Sequence, residues 1–316
     1  MLLSKASEKA EALNQFFTKQ TVLSTDGAVP DQSSLHYNEE VFPALVTTSK
    51  AVFDILSCLP VKKAPGADGI TTRLLRGCAR GIAGSLALLF NRSFSECTYP
   101  SAWKDALVIP VFKRGERSSL SNYRPISLLC VVGKVCERIV FNKLYRFLTP
   151  VLSDFHSGFQ RGDSTQLQLL RLVQSWSEAV DSSSYVSVIF FDLRKAFDRV
   201  WHQGLLMKLE AAGVRGSTLQ WFVSYLSERR QRIRVDSAVS GFAPLSAGVP
   251  QGAILSPLLF ILYVNDIPCS PSIHTNLFAD DTSVFITDLP PSLLSTPLTC
   301  GNGKIDRIRL KGCEAP

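Results

Sequence analysis

The stretch Leu277-Phe278-Ala279-Asp280-Asp281-Thr282 constrains this chain more than any other. Apolar residues run up to it and resume at Val284, Phe285 and Ile286, so it reads as a tight β-hairpin with two adjacent carboxylates at its tip. Like charges side by side repel, and such a turn is costly unless cations bind there. The plain alternative is a solvated acidic turn. A third acid elsewhere in the chain, together with a surface for a polyanion, would decide between the two.

A third acid closes the near-continuous apolar run Tyr185-Val186-Ser187-Val188-Ile189-Phe190-Phe191, which reads as a strand buried on both faces. The run ends in Asp192, and a carboxylate at the end of a buried strand is unusual. Leu193 to Arg199 reads as a turn into a helix. If the Asp192 strand and the Asp280–Asp281 hairpin are neighbours in one sheet, three carboxylates can hold two Mg²⁺ ions, or Mn²⁺ in their place. Mg²⁺ favours oxygen ligands and keeps positions for water and substrate phosphates. Two such ions can stabilise the attacking and leaving oxygens of a phosphoryl transfer.

The charge pattern supplies the polyanion. The net charge is +7, but residues 1–60 carry −3, residues 61–150 carry +10 and residues 151–316 are neutral. A basic block beside a neutral segment with clustered acids suits a polyanion held by one part and worked on by another. A soluble basic surface without a partner is the alternative. Hydrophobic content of 46% with 19% charged residues describes a globular chain. The N-terminus lacks the apolar run of a signal peptide, and the longest apolar stretch, Ile254 to Val264, is too short to span a bilayer. The 8 cysteines are scattered without a Cys-x-x-Cys pair, so they are expected as reduced thiols in an intracellular protein, with no zinc site.

Residues 1–45 read as a peripheral extension with one helical pattern (Ala10, Leu13, Phe16, Phe17). Thr48 or Ser49 can cap a helix bearing Val52, Ile55, Leu56 and Leu59 on one face. Val61 to Ile70 is a rigid Pro/Gly loop whose Lys62 and Lys63 can hold phosphates. A helix over Leu86 to Phe94 and a strand over Trp103 to Lys113 follow. In Asn122 to Leu129, Pro125 keeps the entry extended and Arg124 is held in one direction, as a bidentate phosphate ligand should be. Lys134, Arg138 and Lys143 follow on a helix, where a charged outer face is the ordinary reading. The Gly-bearing loop Phe155 to Thr165, carrying Arg161, leads into a helix over Ser164 to Val180. Arg229 to Val235 alternates basic with apolar, a strand with one basic face, and Phe242 to Ala247 can return as its hairpin partner. Gly248 to Pro257 opens a helix, and Gly252 there allows close backbone approach by a ligand. After Thr287 no periodicity is sustained.

Six motifs stand in one order: KAPGADGI (63–70), NYRPISLL (122–129), HSGFQRGDST (156–165), FFDLRKAFD (190–198), GVPQGAILSPLLFILYVNDI (248–267) and FADD (278–281). Together they resemble the reverse transcriptases of non-LTR (LINE-type) retrotransposons of the jockey and CR1 kind. The resemblance implies an α+β right-hand polymerase: fingers over 46–184, a palm with an antiparallel sheet flanked by helices over 185–288, no thumb, and an unrelated or irregular tail over 289–316. It implies Asp192, Asp280 and Asp281 as catalytic metal ligands and Phe197 as a ring that collides with a ribose 2′-OH. Arg124 and Lys134 match positions that hold the triphosphate, and Gln251 and Gly252 match a loop along the template and incoming base. Lys62, Lys63 and Arg161 are candidate nucleic-acid contacts. The implied partners are an RNA template, a DNA primer and dNTPs, with no membrane, in a nuclear or cytoplasmic ribonucleoprotein; the oligomeric state stays open.

The departures from the family are also informative. Nothing upstream resembles its endonuclease, and nothing after the acidic hairpin matches the next palm segment, the primer grip or the thumb. The expectation is a polymerase complete in metal ligands but truncated and impaired behind them. The alternative is an inactive remnant that only binds nucleic acid through 61–150. An RNA-dependent RNA polymerase is disfavoured by Phe197, where those enzymes place an acid or polar group. A group II intron maturase fits KAPGADGI and NYRPISLL less well.

Overall fold

The structure, a computed structural model, describes residues 4–22, 37–182, 184, 186–193, 195–267, 274–286 and 307–310, with the backbone alone for Asp192 and 307–310. The first elements in chain order are α1 (Ala6–Gln20), α2 (Ser49–Ser57), α3 (Thr72–Gly77), α4 (Ala79–Ser95), β1 (Asp105–Phe112), β2 (Tyr123–Leu128), α5 (Val131–Leu148), α6 (Thr165–Asp181) and β3 (Val186–Asp192). They are followed by α7 (His202–Ala211), α8 (Gly216–Leu226), β4 (Arg230–Val235), β5 (Ala238–Val239), β6 (Ala243–Pro244), α9 (Ser256–Tyr263), β7 (His274–Phe278), β8 (Asp281–Ile286) and β9 (Arg307–Leu310). Among the described residues no helix is long and apolar enough to cross a membrane. The fold is mixed α and β with mainly antiparallel strand pairing.

The chain divides into two compact units, Met1–Val151 with Phe197–Tyr263, and Leu152–Ala196 with Val264–Pro316. This division does not follow the linear boundary at 184/185 expected from the sequence. The reason is a long-range pairing: β4 lies parallel to β1, with Asp105 beside Arg230 and Val108 beside Ile233, and a parallel pair needs a long crossover. Residues 197–263 therefore join the first unit.

In the first unit, β2, β1, β4 and β5 form a sheet, with β6 also paired to β4. Pro110 faces Pro125 across the β1–β2 ladder, a place where neither missing N–H costs a bond if the pair is non-hydrogen-bonded. Ala106, Val108 and Ile233 form one face of the sheet and pack with Leu13, Phe17, Leu129 and Ala253. α1 is thus core rather than the peripheral extension expected for 1–45. Its apolar stripe needs a partner, and burying Leu13 and Phe17 contributes about 1.5–3 kcal/mol each. The predicted α2 cap is made: the Thr48 side chain accepts the Ala51 N–H at 3.2 Å, and Val52 and Leu56 are fully buried. The expected return of β4 through 242–247 is split, since the short strands β5 and β6 each pair with it.

The second unit holds an antiparallel sheet ordered β7-β8-β3-β9. α6, capped by the Ser164 side chain accepting the Leu167 N–H, lays Leu172 against Val186, Val188 and Phe285, with Trp176 edge-on to Phe285. β3 is not buried along its whole length as its apolar run suggested. Val186 and Val188 are buried, but Phe190 and Phe191 near the Asp192 end are 52% and 37% exposed. Within 289–316, expected to be irregular, Arg307–Leu310 pair antiparallel with β3, Leu310 opposite Val186.

Candidate active site

The apolar arms of β7 and β8 pair with Phe278 opposite Asp281, which leaves Ala279 and Asp280 as a two-residue turn. Ala279 takes a left-handed φ of 57°, an uncommon conformation for a residue with a Cβ. β8 also pairs with β3, and that register sets Asp192 directly opposite Asp281. Directly opposed residues on antiparallel strands carry Cβ atoms about 4.5–5.5 Å apart. Two carboxylates so placed repel by roughly 1–3 kcal/mol at effective dielectric constants of 20 to 80. Asp280 adds a third charge at the tip. Asp281 is exposed and Asp280 half-buried, and among the described residues neither has an ion-pair partner. The Asp192 side chain lies outside the described residues, and among those described no three His, Cys, Asp or Glu converge on one point. An all-oxygen carboxylate set beside open strand ends fits Mg²⁺ or Mn²⁺ rather than a soft metal.

The hairpin is held from one side by 155–158. Leu277 N–H donates to Phe155 O at 2.9 Å and Ser157 N–H to Leu277 O at 2.8 Å, with His156 bridged to Leu277 in parallel. Gly158 lies so close to the turn that a Cβ there would meet Ala279 N at 2.0 Å and its Cα at 2.7 Å. His156 is buried; burial pushes its imidazole down to about 4, and the Ala279 backbone beside it offsets only part of that. Arg171 Nη1 donates to Ser157 Oγ at 3.0 Å and pairs with Asp163 at 2.8 Å, so α6 braces the same segment. The HSGFQRGDST motif therefore supports the acidic turn, a role not read from its composition. The signal present was Gly158 itself, since a glycine marks close backbone approach as readily as a loop.

In the first unit, 248–252 is pinned on two sides. Gly248 N–H donates to Val200 O and Val249 N–H to Phe197 O, both at 2.8 Å. Gln251 Nε2 donates to Asp198 Oδ1 at 2.9 Å, and Ser127 N–H to Gln251 O at 2.8 Å. Gly252, at φ 129°, has its Cβ direction blocked by Ser127 O at 2.5 Å. Strand β2 thus fills the Cβ direction of Gly252, while the residue itself is exposed and lines a cleft. The Phe197 ring stacks on Phe260 with centroids 4.7 Å apart and planes at 19°, which fixes its direction.

Lys134 is not on a solvated helix face. It lines a cleft of about 620 Å³ with Lys63, Arg138, Asn142 and Gly252. Burial lowers its ammonium below the usual lysine range, with Glu137 opposing and Lys63 adding to the shift. A partly desolvated cation beside a second one favours an anion. The loop carrying Lys63 is pressed onto the cleft wall, for a Cβ on Gly66 would meet Cys130 N at 2.6 Å. Lys62 is exposed on the same loop, and Arg161 is exposed in the second unit. Arg124 is exposed and does not line the cleft. It sits four residues from Leu128 on β2, about 13 Å along the strand. The structure brings Lys63, Lys134 and Gly252 together and leaves Arg124 apart from them.

Glu137 was missed. It is fully buried on α5. Its Oε2 accepts Ile254 N–H at 2.6 Å and Leu255 N–H at 3.2 Å, and its Oε1 accepts Tyr99 O–H at 3.3 Å. It therefore holds the entrance of α9, joining α5 to the loop that carries Gln251. Burial raises its carboxyl above the usual range, opposed by the Arg229 guanidinium and the two N–H groups. The available signal was one acid inside the apolar stripe Val135, Ile139, Val140. Glu137→Ala is expected to cost about 3 kcal/mol, because two N–H groups and a hydroxyl lose their partner. Glu137→Gln, which keeps an acceptor, should cost less than half of that. Urea denaturation followed by tryptophan fluorescence checks both, and equal losses would refute the cap.

The comparisons with known proteins agree with this geometry. The family model described as reverse transcriptase (RNA-dependent DNA polymerase) matches residues 111–298. That match ends inside 289–316, so the family likeness continues past the hairpin, where it was expected to stop. The RNA-directed DNA polymerase from mobile element jockey of Drosophila melanogaster is 35% identical over 254 residues, covering 77% of this chain and 28% of that protein. "Probable RNA-directed DNA polymerase from transposon BS", also of Drosophila melanogaster, is 35% identical over 226 residues, 71% of this chain and 25% of that protein. The jockey polymerase of Drosophila funebris is 33% identical over 229 residues, 72% and 25%. The chain spans about a quarter of the length of these curated relatives. With a family match over more than half of its length and an acidic hairpin registered against a strand-end aspartate, the chain belongs to the reverse transcriptase (RNA-dependent DNA polymerase) family.

Proposed function

We propose that this chain carries the nucleotidyl-transfer chemistry of an RNA-directed DNA polymerase, adding dNMP to a primer 3′-OH along an RNA template. The observation that carries the reading is the β3–β8 register, which pairs Asp192 with Asp281 one residue from Asp280. Asp192, Asp280 and Asp281 would hold two Mg²⁺ ions. When bound, the ions supply charge for the attacking and leaving oxygens of an in-line displacement. Lys134 and Arg124 hold the triphosphate, Gln251 and Gly252 support the incoming base and template, and Lys62, Lys63 and Arg161 touch nucleic acid. In this reading β3, β7 and β8 belong to a palm and β1, β2 and the 61–70 loop to fingers, and the protein acts in a nuclear or cytoplasmic ribonucleoprotein.

Primer extension by the purified chain on poly(rA)/oligo(dT) with dTTP tests this. Incorporation that stops on chelation of Mg²⁺ is the expected result. No incorporation, with RNA binding retained and weakened by salt, would favour the binding-only reading that the +10 charge of 61–150 supports.

The Phe197 ring, held in place by Phe260, is assigned to exclude the ribose 2′-OH. Phe197→Ala is expected to raise ribonucleotide use relative to dNTP use by about tenfold to a hundredfold. Competition between UTP and dTTP measures it, and an unchanged ratio would remove the assignment.

A further inference from the structure

β4 presents a basic face that the polymerase roles above leave unused. Gln231 and Ile233 are buried, so strand alternation turns Arg230, Arg232 and Arg234 to the other side of the sheet. There the Arg230 and Arg232 guanidinium carbons lie 4.7 and 4.9 Å from the centroid of the Phe242 ring. Phe242 remains 44% exposed, as does Val239, which pairs with Arg234. Asp105 binds Arg230 through both oxygens, Nε to Oδ1 at 2.9 Å and Nη2 to Oδ2 at 2.8 Å, so that guanidinium is fixed in place. Asp105 is then spent on Arg230, Glu11 accepts the Gly241 N–H at 3.4 Å, and Asp236, in the turn between β4 and β5, forms no ion pair with Arg232 or Arg234 among the described residues. Arg232 and Arg234 carry no ion pair among the described residues, and Arg232 Nε is buried without a hydrogen-bond partner there. The result is a half-exposed ring with two guanidinium groups 4.7 and 4.9 Å from its centroid, and two arginines beside it that form no ion pair among the described residues.

We propose that Phe242, Arg232 and Arg234 form a site for single-stranded RNA, in which unpaired bases stack on the ring and guanidinium planes while the two arginines hold phosphates. Ring and guanidinium stacking with a charged groove is the chemistry that holds unpaired nucleic acid without reading its sequence. An acidic peptide would answer the charges but offers nothing flat to stack. A duplex would answer them too, but its bases are already stacked on each other. The choice of RNA as the strand rests on the polymerase reading; the stacking site itself does not.

Fluorescence anisotropy with a fluorescein-labelled oligo(rU) of about 20 nucleotides, in EDTA, tests the site without any catalytic step. Phe242→Ala is expected to weaken binding about tenfold, while Phe242→Trp retains it. Arg232→Ala and Arg234→Ala should each lower the slope of log affinity against log salt by about 0.7. Arg92→Ala, which removes the same charge from an exposed pair with Glu96 on α4, should leave binding unchanged. Circular dichroism melts confirm that each variant is folded, and the aromatic replacement keeps the test valid if Phe242→Ala is not. Unchanged binding in Phe242→Ala, an equal loss in Arg92→Ala, or displacement by polyglutamate as effective as by unlabelled oligo(rU) would overturn the proposal. If the wild-type chain fails to extend primers yet shows this pattern, the polymerase reading falls and the RNA site stands. If it extends primers without the pattern, the reverse holds.

Discussion

Asp280→Ala is expected to reduce primer extension on the order of a thousandfold or more, with the fold intact. Asp280 occupies the turn between two strands whose register is set by their own hydrogen bonds, from His274–Phe285 to Phe278–Asp281. Removing its carboxylate deletes a metal ligand in the proposed mechanism without touching a packed contact. It also relieves repulsion in a cluster where Asp192 and Asp281 already oppose one another. The metal-free variant should therefore melt no lower than the wild type. Mg²⁺ should raise the wild-type melting temperature through its preference for the folded state and leave that of the variant unmoved. A thermal melt with and without Mg²⁺, run beside the extension assay, separates loss of a metal ligand from loss of structure. Extension surviving in the variant would show that the hairpin acids are not the ion site.

Gly158→Ala is expected to have the largest structural effect of any single methyl group in the second unit. The added Cβ would stand 2.0 Å from Ala279 N, and that atom is backbone, held by a turn that also carries Asp280. Side-chain rotation cannot relieve the overlap, so either the turn or 155–158 must shift. Overpacking of this kind costs about 1–3 kcal/mol, and the shift displaces the acid pair. The variant should lose both stability and extension. Gly84→Ala, on helix α4 with nothing within 4 Å of its Cβ direction, should be neutral or stabilising by up to about 1 kcal/mol. Denaturant curves on the two variants check the contrast, and Gly158→Ala behaving like Gly84→Ala would mean the hairpin is not held from that side.

Local readings of this chain succeeded where the determinant lies within a few residues. The Thr48 cap, the amphipathic stripe of α2 and the hairpin around Asp280 each depend on neighbours in the chain, and each could be read from residue type and spacing. One expectation fails and two readings stay incomplete, all for a shared reason. α1 reads as peripheral in the sequence because its partner strands, β1 and β4, lie far along the chain. At Gly252 nothing near in sequence reveals that Ser127 O fills the Cβ direction. For Lys134 a charged outer face stays open as an alternative in the sequence, because Lys63, which lines the same cleft, comes from another part of the chain. The capping role of Glu137 is hidden for the same reason, since the N–H groups it satisfies follow it by more than a hundred residues.

By itself, the sequence determined the kinds of element, the order of the six motifs and the family those motifs resemble, because propensity, periodicity and turn chemistry act locally. The tertiary structure alone decided which residues meet. The pairing of Asp192 with Asp281, the contact of Gly158 with Ala279 and the turning of Arg230, Arg232 and Arg234 to one face all depend on strand register. Register is a property of two distant segments at once: a shift of one residue would send every side chain to the opposite face and the acids apart.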